Sequence, residues 1–212
     1  SRCFLRPTVE MKIPTGLYRA LMIADGAVEV RIFVPDPEGT PLPEELLLPT
    51  QTHTANVAVT NSRQELPDTD GLITLNAALM PGVRTADCVP VMLFAPDIRA
   101  VAAVHAGWRG TVNGIVGVAV GKLTALGADP SAIKVWFGPS ICSGCYEVSP
   151  ELAADFADAG FGEAILEEQS GVKPHLDLQE ANCMALRCAG IAEANICRSE
   201  MCTYHGCDPL LP

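Results

Sequence analysis

The sequence has no long apolar run and little positive charge, and each absence excludes a class of protein. No stretch approaches the roughly 18 uninterrupted apolar residues of a membrane-spanning helix. The longest apolar tracts, such as 114–120, are interrupted by glycine. We therefore predict neither a membrane span nor a signal peptide. Lys and Arg total 14 against 25 Asp and Glu, giving a net charge of −11. A nucleic-acid partner, which would require a basic surface, is not expected.

The composition that remains is that of a globular protein. The 212 residues are 49% hydrophobic and 18% charged, so the chain is long enough and apolar enough to bury a core. We predict a single domain over residues 1–212, as a monomer or a homodimer.

The cysteines favour a reducing compartment. There are nine of them, and an odd number in a chain with ample apolar residues is not typical of a secreted disulfide framework. We therefore predict a cytoplasmic protein in which most thiols pack as small apolar groups. Cys183 and Cys188 lie in a helical pattern, and both are predicted core residues.

Cys142 and Cys145 form a C-x-x-C pair, a pattern that is typical of a zinc site or of a redox pair. No second C-x-x-C accompanies it, and the spacing of Cys202 and Cys207 does not suit a shared site. We interpret this loop as part of a pocket wall without a second metal.

Periodicity predicts a mixed α/β fold. Alternating or β-branched apolar runs predict strands at 29–34, 52–60, 71–75, 85–95, 100–106 and 133–137. The runs 85–95 and 100–106 are separated by a short turn, which predicts an antiparallel hairpin.

Three segments have helical spacing and end signals. The first is 111–126, which Gly127 stops. The second begins at Pro150, with Ser149 as its N-cap, and runs to about Ala159. The third follows a capping box of Asp177 and Glu180 and ends at Gly190.

Three potential metal ligands fall at the ends of predicted strands. His53 lies in Gln-Thr-His, Cys88 in Thr-Ala-Asp-Cys, and His105 begins His-Ala-Gly-Trp-Arg-Gly. Two imidazoles, one thiolate and an open position describe a catalytic zinc site. The hairpin would bring Cys88 and His105 together. Isolated His and Cys residues in strands are more often structural, so the neighbouring residues matter.

Those neighbours suggest an anion site. Gly107 and Gly110 flank Trp108 and Arg109 immediately before a predicted helix. Backbone amides and a guanidinium would converge there, as in a phosphate site. The alternative is that Trp108 is a core residue and Arg109 a solvated charge.

Several segments together resemble a known family. TADCVPVMLFAP, VAAVHAGWRG, GPSICSGCYEV and LDLQEANCMAL followed by CTY are similar to the YfiH-type family, also labelled multicopper polyphenol oxidoreductase or laccase-domain proteins. The resemblance runs from about residue 50 to 204. It implies an α/β/β/α sandwich with mixed sheets and zinc ligation by His53, Cys88 and His105.

The resemblance also implies an activity. Members of the YfiH-type family are purine nucleoside phosphorylases that act on adenosine, inosine, guanosine and methylthioadenosine, and they deaminate adenosine. Purine nucleoside and phosphate are therefore the expected small-molecule partners, and Cys88, His105 and Arg109 the expected catalytic residues. A zinc ion lowers the pKa of its water to about 7, which suits deamination. Asp87 and Glu147 are candidate proton relays, although strand alternation would direct Asp87 away from Cys88.

Four alternatives remain from the sequence. Cys88 and His105 could form a metal-free cysteine hydrolase, and the family resemblance also allows a peptidoglycan-precursor editing hydrolase. A copper polyphenol oxidase is disfavoured because four histidines are too few for several coppers. The chain lacks the family's opening TR-x-GG and Ser-Leu-Asn motifs and its closing Ser-x-Arg-Arg tail. A binding module without turnover is the alternative if those segments are required.

Overall fold

The computed structural model describes residues 18–23, 27–33, 41–166 and 173–204. Six strands form the central sheet: β4 (Val57–Val59), β5 (Gly71–Thr74), β7 (Val89–Ala95), β8 (Ala100–Ala106), β9 (Lys134–Phe137) and β12 (Ile196–Cys197). Their order is β12-β9-β7-β8-β5-β4. The outer pairs β12–β9 and β4–β5 are parallel and the three inner pairs are antiparallel, so the sheet is mixed.

The predicted hairpin of β7 and β8 is confirmed and lies at the centre of this sheet. Its register places Val89 opposite Ala106 and Ala95 opposite Ala100. Nearly every residue of both strands is buried, because a central strand of a covered sheet has no solvent face. Cys88 therefore directly precedes one strand, and His105 lies near the end of the other.

Within the described ranges, three two-stranded pairs lie outside the central sheet. They are β1 (Tyr18–Ile23) with β2 (Val28–Phe33), β3 (Leu46–Leu47) with β6 (Met80–Pro81), and β10 (Ile165–Leu166) with β11 (His175–Leu176). Of these strands, β2 was predicted from the sequence, with a boundary that differs by one residue at each end.

Four helices are described: α1 (Trp108–Val112), α2 (Ile115–Ala125), α3 (Pro150–Asp158) and α4 (Leu178–Cys188). Ser149 caps α3 as predicted, accepting from the Leu152 N–H at 3.2 Å. Asp177 caps α4 by accepting from the Glu180 N–H at 2.8 Å. The Glu180 carboxylate does not complete the predicted capping box, because it binds Arg187 and Arg198.

Helices α2 and α4 contact each other, and α2 also packs on β8. One continuous core results, whose largest fully buried members include Phe137, Phe156, Ile115, Leu123 and Leu186. The fold class is the mixed α/β arrangement with mixed sheets that the sequence predicted. Among the described residues no helix has the length and apolar character needed to cross a bilayer.

Three local predictions are wrong. The strand predicted over 52–60 is limited to Val57–Val59, and the helix predicted over 111–126 begins at Ile115. Gly114 interrupts it with a left-handed φ of 75°. Cys188 is exposed and therefore not a core residue, whereas Cys183 is buried as predicted. Cys197 forms a disulfide bond.

Candidate metal centre

The structure brings His53, Cys88 and His105 together. One ligand atom from each lies within 4.8 Å of the others. The rings of His53 and His105 meet edge to face, with centroids 4.9 Å apart. His105 is buried, Cys88 is half-buried and His53 is exposed. The cluster therefore has one face open to solvent, as a site that receives a substrate requires.

A tight turn, and not the predicted strand, presents His53. Three consecutive backbone N–H groups, from Thr52, His53 and Thr54, donate to the carboxylate of Asp70 at 2.8–3.1 Å. The Thr54 hydroxyl adds a fourth hydrogen bond. His53 has a φ of 63°, a left-handed conformation that costs energy for a residue with a Cβ. The four hydrogen bonds to one buried carboxylate hold this turn.

Asp70 also orients His105. Its Oδ1 lies 2.8 Å from His105 Nδ1, and its backbone carbonyl accepts from the His105 N–H at 2.7 Å. With Nδ1 engaged, Nε2 is the ring nitrogen left for a metal, which is the usual arrangement of a metal-binding histidine and its carboxylate. Sequence reasoning did not identify Asp70, although its position in Asp-Thr-Asp-Gly just before a buried strand was visible.

The electrostatics suit a neutral imidazole beside an ionised carboxylate. Burial would raise the pKa of Asp70, but hydrogen bonds from Thr54, His105 and Thr52 bring it below its ordinary value. Burial lowers the pKa of His105 despite the opposing effect of Asp70. A neutral imidazole is the form that binds a metal.

The surroundings of Cys88 disfavour its thiolate. Burial and the charges of Asp87 and Asp70 raise the pKa of its thiol. A metal bound at this position would supply the positive charge that stabilises the thiolate. Gly107 leaves the space for this sulfur, since a Cβ there would lie 2.9 Å from Cys88 Sγ and 3.5 Å from His53 Cδ2.

Arg109 lies on the short helix α1, and its side chain is exposed. Its guanidinium carbon is 4.6 Å from the centroid of the Trp108 ring, a cation–π contact. Trp108 itself is half-buried against the core. The phosphate role predicted for Arg109 therefore stays a prediction.

The two predicted proton relays have other partners. The Asp87 carboxylate accepts from the Thr203 hydroxyl at 2.7 Å. Glu147 forms an exposed ion pair with Lys173 at 2.7 Å, and this hydrogen bond lowers the pKa of Glu147. A carboxyl with a lowered pKa is a poor proton donor near neutral pH.

The C-x-x-C loop has a third cysteine beside it. The sulfurs of Cys142, Cys145 and Cys202 lie within 4.8 Å of one another. Burial and the contacts with Cys142 and Cys202 raise the pKa of Cys145 to about 12. Sequence spacing did not predict this grouping, because Cys202 lies 60 positions after Cys142 in the sequence.

Comparison with known proteins identifies the family. The model of a family described as multi-copper polyphenol oxidoreductase laccase matches residues 38–210. The chain belongs to this family. The family resemblance predicted from the motifs is confirmed. The laccase-family description and the His and Cys cluster together indicate a domain of a metal-binding type, with no ion identified.

Several proteins similar to this chain are named as purine nucleoside enzymes. An adenosine deaminase RL5 from an unknown prokaryotic organism is 38% identical over 172 residues, which are 76% of this chain and 66% of that protein. A purine nucleoside phosphorylase of Deinococcus radiodurans is 40% identical over 58% of this chain and 48% of its own length. A purine nucleoside phosphorylase ORF3 of Streptomyces griseus is 35% identical, with 78% of this chain and 68% of its own length covered. The chain thus spans about half to two thirds of these relatives.

Solved structures agree with the fold. The hypothetical protein YfiH of Bacillus licheniformis superposes with a TM-score of 0.71 at 30% identity, covering 76% of this chain and 65% of that one. YlmD from Geobacillus stearothermophilus gives a TM-score of 0.66 at 32% identity, over 76% and 64% of the two chains.

Proposed function

We propose that this protein is a zinc-dependent purine nucleoside enzyme. Its reactions would be the phosphorolysis of adenosine, inosine, guanosine and methylthioadenosine, and the deamination of adenosine. The names of relatives at 35–40% identity support purine nucleoside processing. The observation that carries the proposal is the convergence of His53, Cys88 and His105 beside Asp70.

The residues fit zinc better than several coppers. Two imidazoles and one thiolate are ligands that zinc accepts in catalytic sites, where three protein groups leave one position open. A laccase-type centre needs many histidines, whereas His53, His105 and His175 are the only ones in the described ranges. When bound, zinc supplies Lewis-acid activation of water near neutral pH.

Side chains of the protein would position the metal ligands and bind the phosphate. Asp70 keeps His105 in one tautomer and fixes the turn that carries His53. Arg109, four residues after His105 and exposed, would bind phosphate by charge-assisted hydrogen bonds, each contributing on the order of 1.5–3 kcal/mol. The bound phosphate would then be placed to attack the sugar C1′ as the purine leaves.

The test is nucleoside turnover with and without a chelator. We expect purine release that depends on phosphate, ammonia release from adenosine, loss of both in chelator, and recovery on adding zinc. Cys88→Ser should abolish both reactions together with the metal bound at this centre. Activity that survives the chelator but not Cys88→Ser would instead identify a metal-free cysteine hydrolase and overturn the proposal.

Arg109→Ala separates the two reactions. We expect a higher phosphate requirement for phosphorolysis, with zinc content unchanged and deamination less affected, because water replaces phosphate in that reaction. An equal loss of both activities with zinc retained would show that Arg109 orients the nucleoside or supports the fold.

A further inference from the structure

A second group of soft ligands lies outside the candidate metal centre. The thiol cluster consists of Cys142, Cys145 and Cys202, whose sulfurs all lie within 4.8 Å of one another. Four-coordinate zinc with Zn–S bonds of about 2.3 Å places its sulfurs about 3.8 Å apart. The three sulfurs are therefore close to the spacing that one ion requires.

Backbone hydrogen bonds hold the cluster together from two segments. Ser140 and Cys202 form a parallel β-bridge, with the Ser140 N–H donating to Met201 O at 3.3 Å and the Thr203 N–H to Ser140 O at 3.1 Å. Within the loop, the Cys145 N–H donates to Cys142 O at 3.0 Å. The three sulfurs are thus brought together by main-chain geometry, which is a rigid support for a ligand set.

One hydrogen bond favours a thiolate in the cluster. The Cys142 N–H donates to Cys202 Sγ at 3.3 Å. A backbone N–H directed at sulfur stabilises negative charge there, and such bonds tune the ligands of metal–thiolate sites. Three thiolates at this spacing would repel one another unless a cation lay between them.

We propose that Cys142, Cys145 and Cys202 bind a second metal ion, a thiophilic Zn²⁺. Each thiol releases its proton to solvent and each sulfur donates a lone pair to the ion, so no oxidation or reduction occurs. Three thiolates on one Zn²⁺ leave a net charge of −1. Cys142 and Cys145 are only half-buried, so a solvent oxygen can complete four-coordination.

This ion would stabilise the surroundings of the first site. The two segments of the cluster both contact Asp87, the neighbour of Cys88. The Ile141 N–H donates to Asp87 O at 3.0 Å, and the Thr203 hydroxyl donates to the Asp87 carboxylate at 2.7 Å. A metal joining these segments would fix the backbone that positions Cys88.

Metal analysis of the full chain, purified anaerobically under reducing conditions after growth in zinc, tests the proposal. We expect about two zinc ions per chain in the wild type and about one in Cys145→Ser or Cys142→Ser. Cys188→Ser, which changes an exposed cysteine outside the cluster, should keep both ions. Circular dichroism shows whether each variant is folded.

Cobalt substitution distinguishes this site from the first one. In Cys88→Ser the first site has no thiolate, so a strong Co²⁺–thiolate absorption band must come from the thiol cluster. We expect that band in Cys88→Ser and its loss in Cys88→Ser/Cys145→Ser. Equal zinc contents in the wild type and Cys145→Ser, no band in Cys88→Ser, or a Cys142–Cys145 disulfide in the reduced preparation would each overturn the proposal. None of these results depends on nucleoside turnover.

Discussion

Asp70 is fully buried and binds two parts of the candidate metal centre at once. One of its oxygens is shared between His105 Nδ1 and the His53 N–H, and the other accepts from Thr52 and Thr54. A buried carboxylate is stable only when its hydrogen bonds replace water. The same hydrogen bonds therefore stabilise the negative charge of Asp70 and position two candidate ligands, His53 and His105.

We predict that Asp70→Asn weakens zinc binding at this centre by about 10–100-fold, as is typical when a hydrogen-bond partner of a metal ligand is removed. Its amide cannot accept from all of the same donors, so the His53 turn and the His105 ring lose their common support. Competition with a chromophoric chelator measures the affinity.

Asp97→Asn is the matched control for that substitution. Asp97 also accepts backbone N–H bonds, from Ile98 and Asp129, but at the opposite end of the β7–β8 hairpin. Zinc affinity in Asp97→Asn should be that of the wild type. Wild-type affinity in Asp70→Asn would contradict the role given to Asp70.

Gly107→Ala is predicted to disturb the same centre by steric contact alone. The backbone at Gly107 is extended, with φ −75° and ψ 174°, so alanine fits its conformation. The added methyl would nevertheless lie 2.9 Å from Cys88 Sγ. We expect reduced metal content, with thermal unfolding like that of the wild type when both are measured in chelator. Gly121→Ala, which has open space around its Cβ, should retain its metal.

At the residue level, the proximity of three side chains could be predicted from local motifs, whereas their role as metal ligands stays a prediction. His53, Cys88 and His105 each lie in a short recognisable string, and the family resemblance supplied their grouping. Asp70 was missed because its partners are 16–35 residues away, and no periodicity marks a carboxylate that acts at such separations. The place of Cys202 in the thiol cluster was missed for the same reason.

At the level of elements, helix caps were predicted well and helix continuity was not. Ser149 and Asp177 cap their helices through bonds to residues three positions later, an interaction that a short window contains. The predicted strand over 52–60 is wrong in its first half because three backbone N–H groups there donate to Asp70 and are not available to a neighbouring strand. Tertiary hydrogen bonds outweighed the local alternation there.

Replacing either of two glycines near the start of α2 by alanine should change the free energy of unfolding, in opposite directions. Gly114 has φ 75°, and a methyl at either Gly114 or Gly117 would meet nothing within 4 Å. Gly114→Ala should therefore destabilise the protein by about 1 kcal/mol through backbone strain. Gly117→Ala, in the helix interior, should stabilise it by up to about 1 kcal/mol. Urea unfolding measures both, and a stabilising Gly114→Ala would contradict the assigned break.

At the level of the whole molecule, metal binding and folding should be linked. The candidate ligands His53 and His105 are far apart in sequence and meet only in the folded chain, so zinc would bind the native state in preference to the unfolded one. In the Cys145→Ser chain, which isolates this centre, zinc at about 1,000 times its dissociation constant should add about 4 kcal/mol to the free energy of unfolding.

That gain corresponds to a rise in melting temperature of about 10 °C for a domain of this size. Calorimetry with zinc and with chelator measures it, and Cys145→Ser/Cys88→Ser should show no such shift. Identical melting temperatures in zinc and in chelator for Cys145→Ser would show that the site does not bind zinc with useful affinity.

The order of strands in the central sheet affects the sequence in which they pair during folding. Strands β7 and β8 are joined by a short turn and can pair within microseconds, whereas β5 must close a longer loop before it reaches β8. Cys88 and His105 lie on that early hairpin, and His53 joins them only when Asp70, at the start of β5, arrives. During refolding, a site with two candidate ligands should therefore form before the site with three. A zinc-sensitive dye would detect the pairing of β5 with β8 as a late increase in the affinity of the protein for zinc.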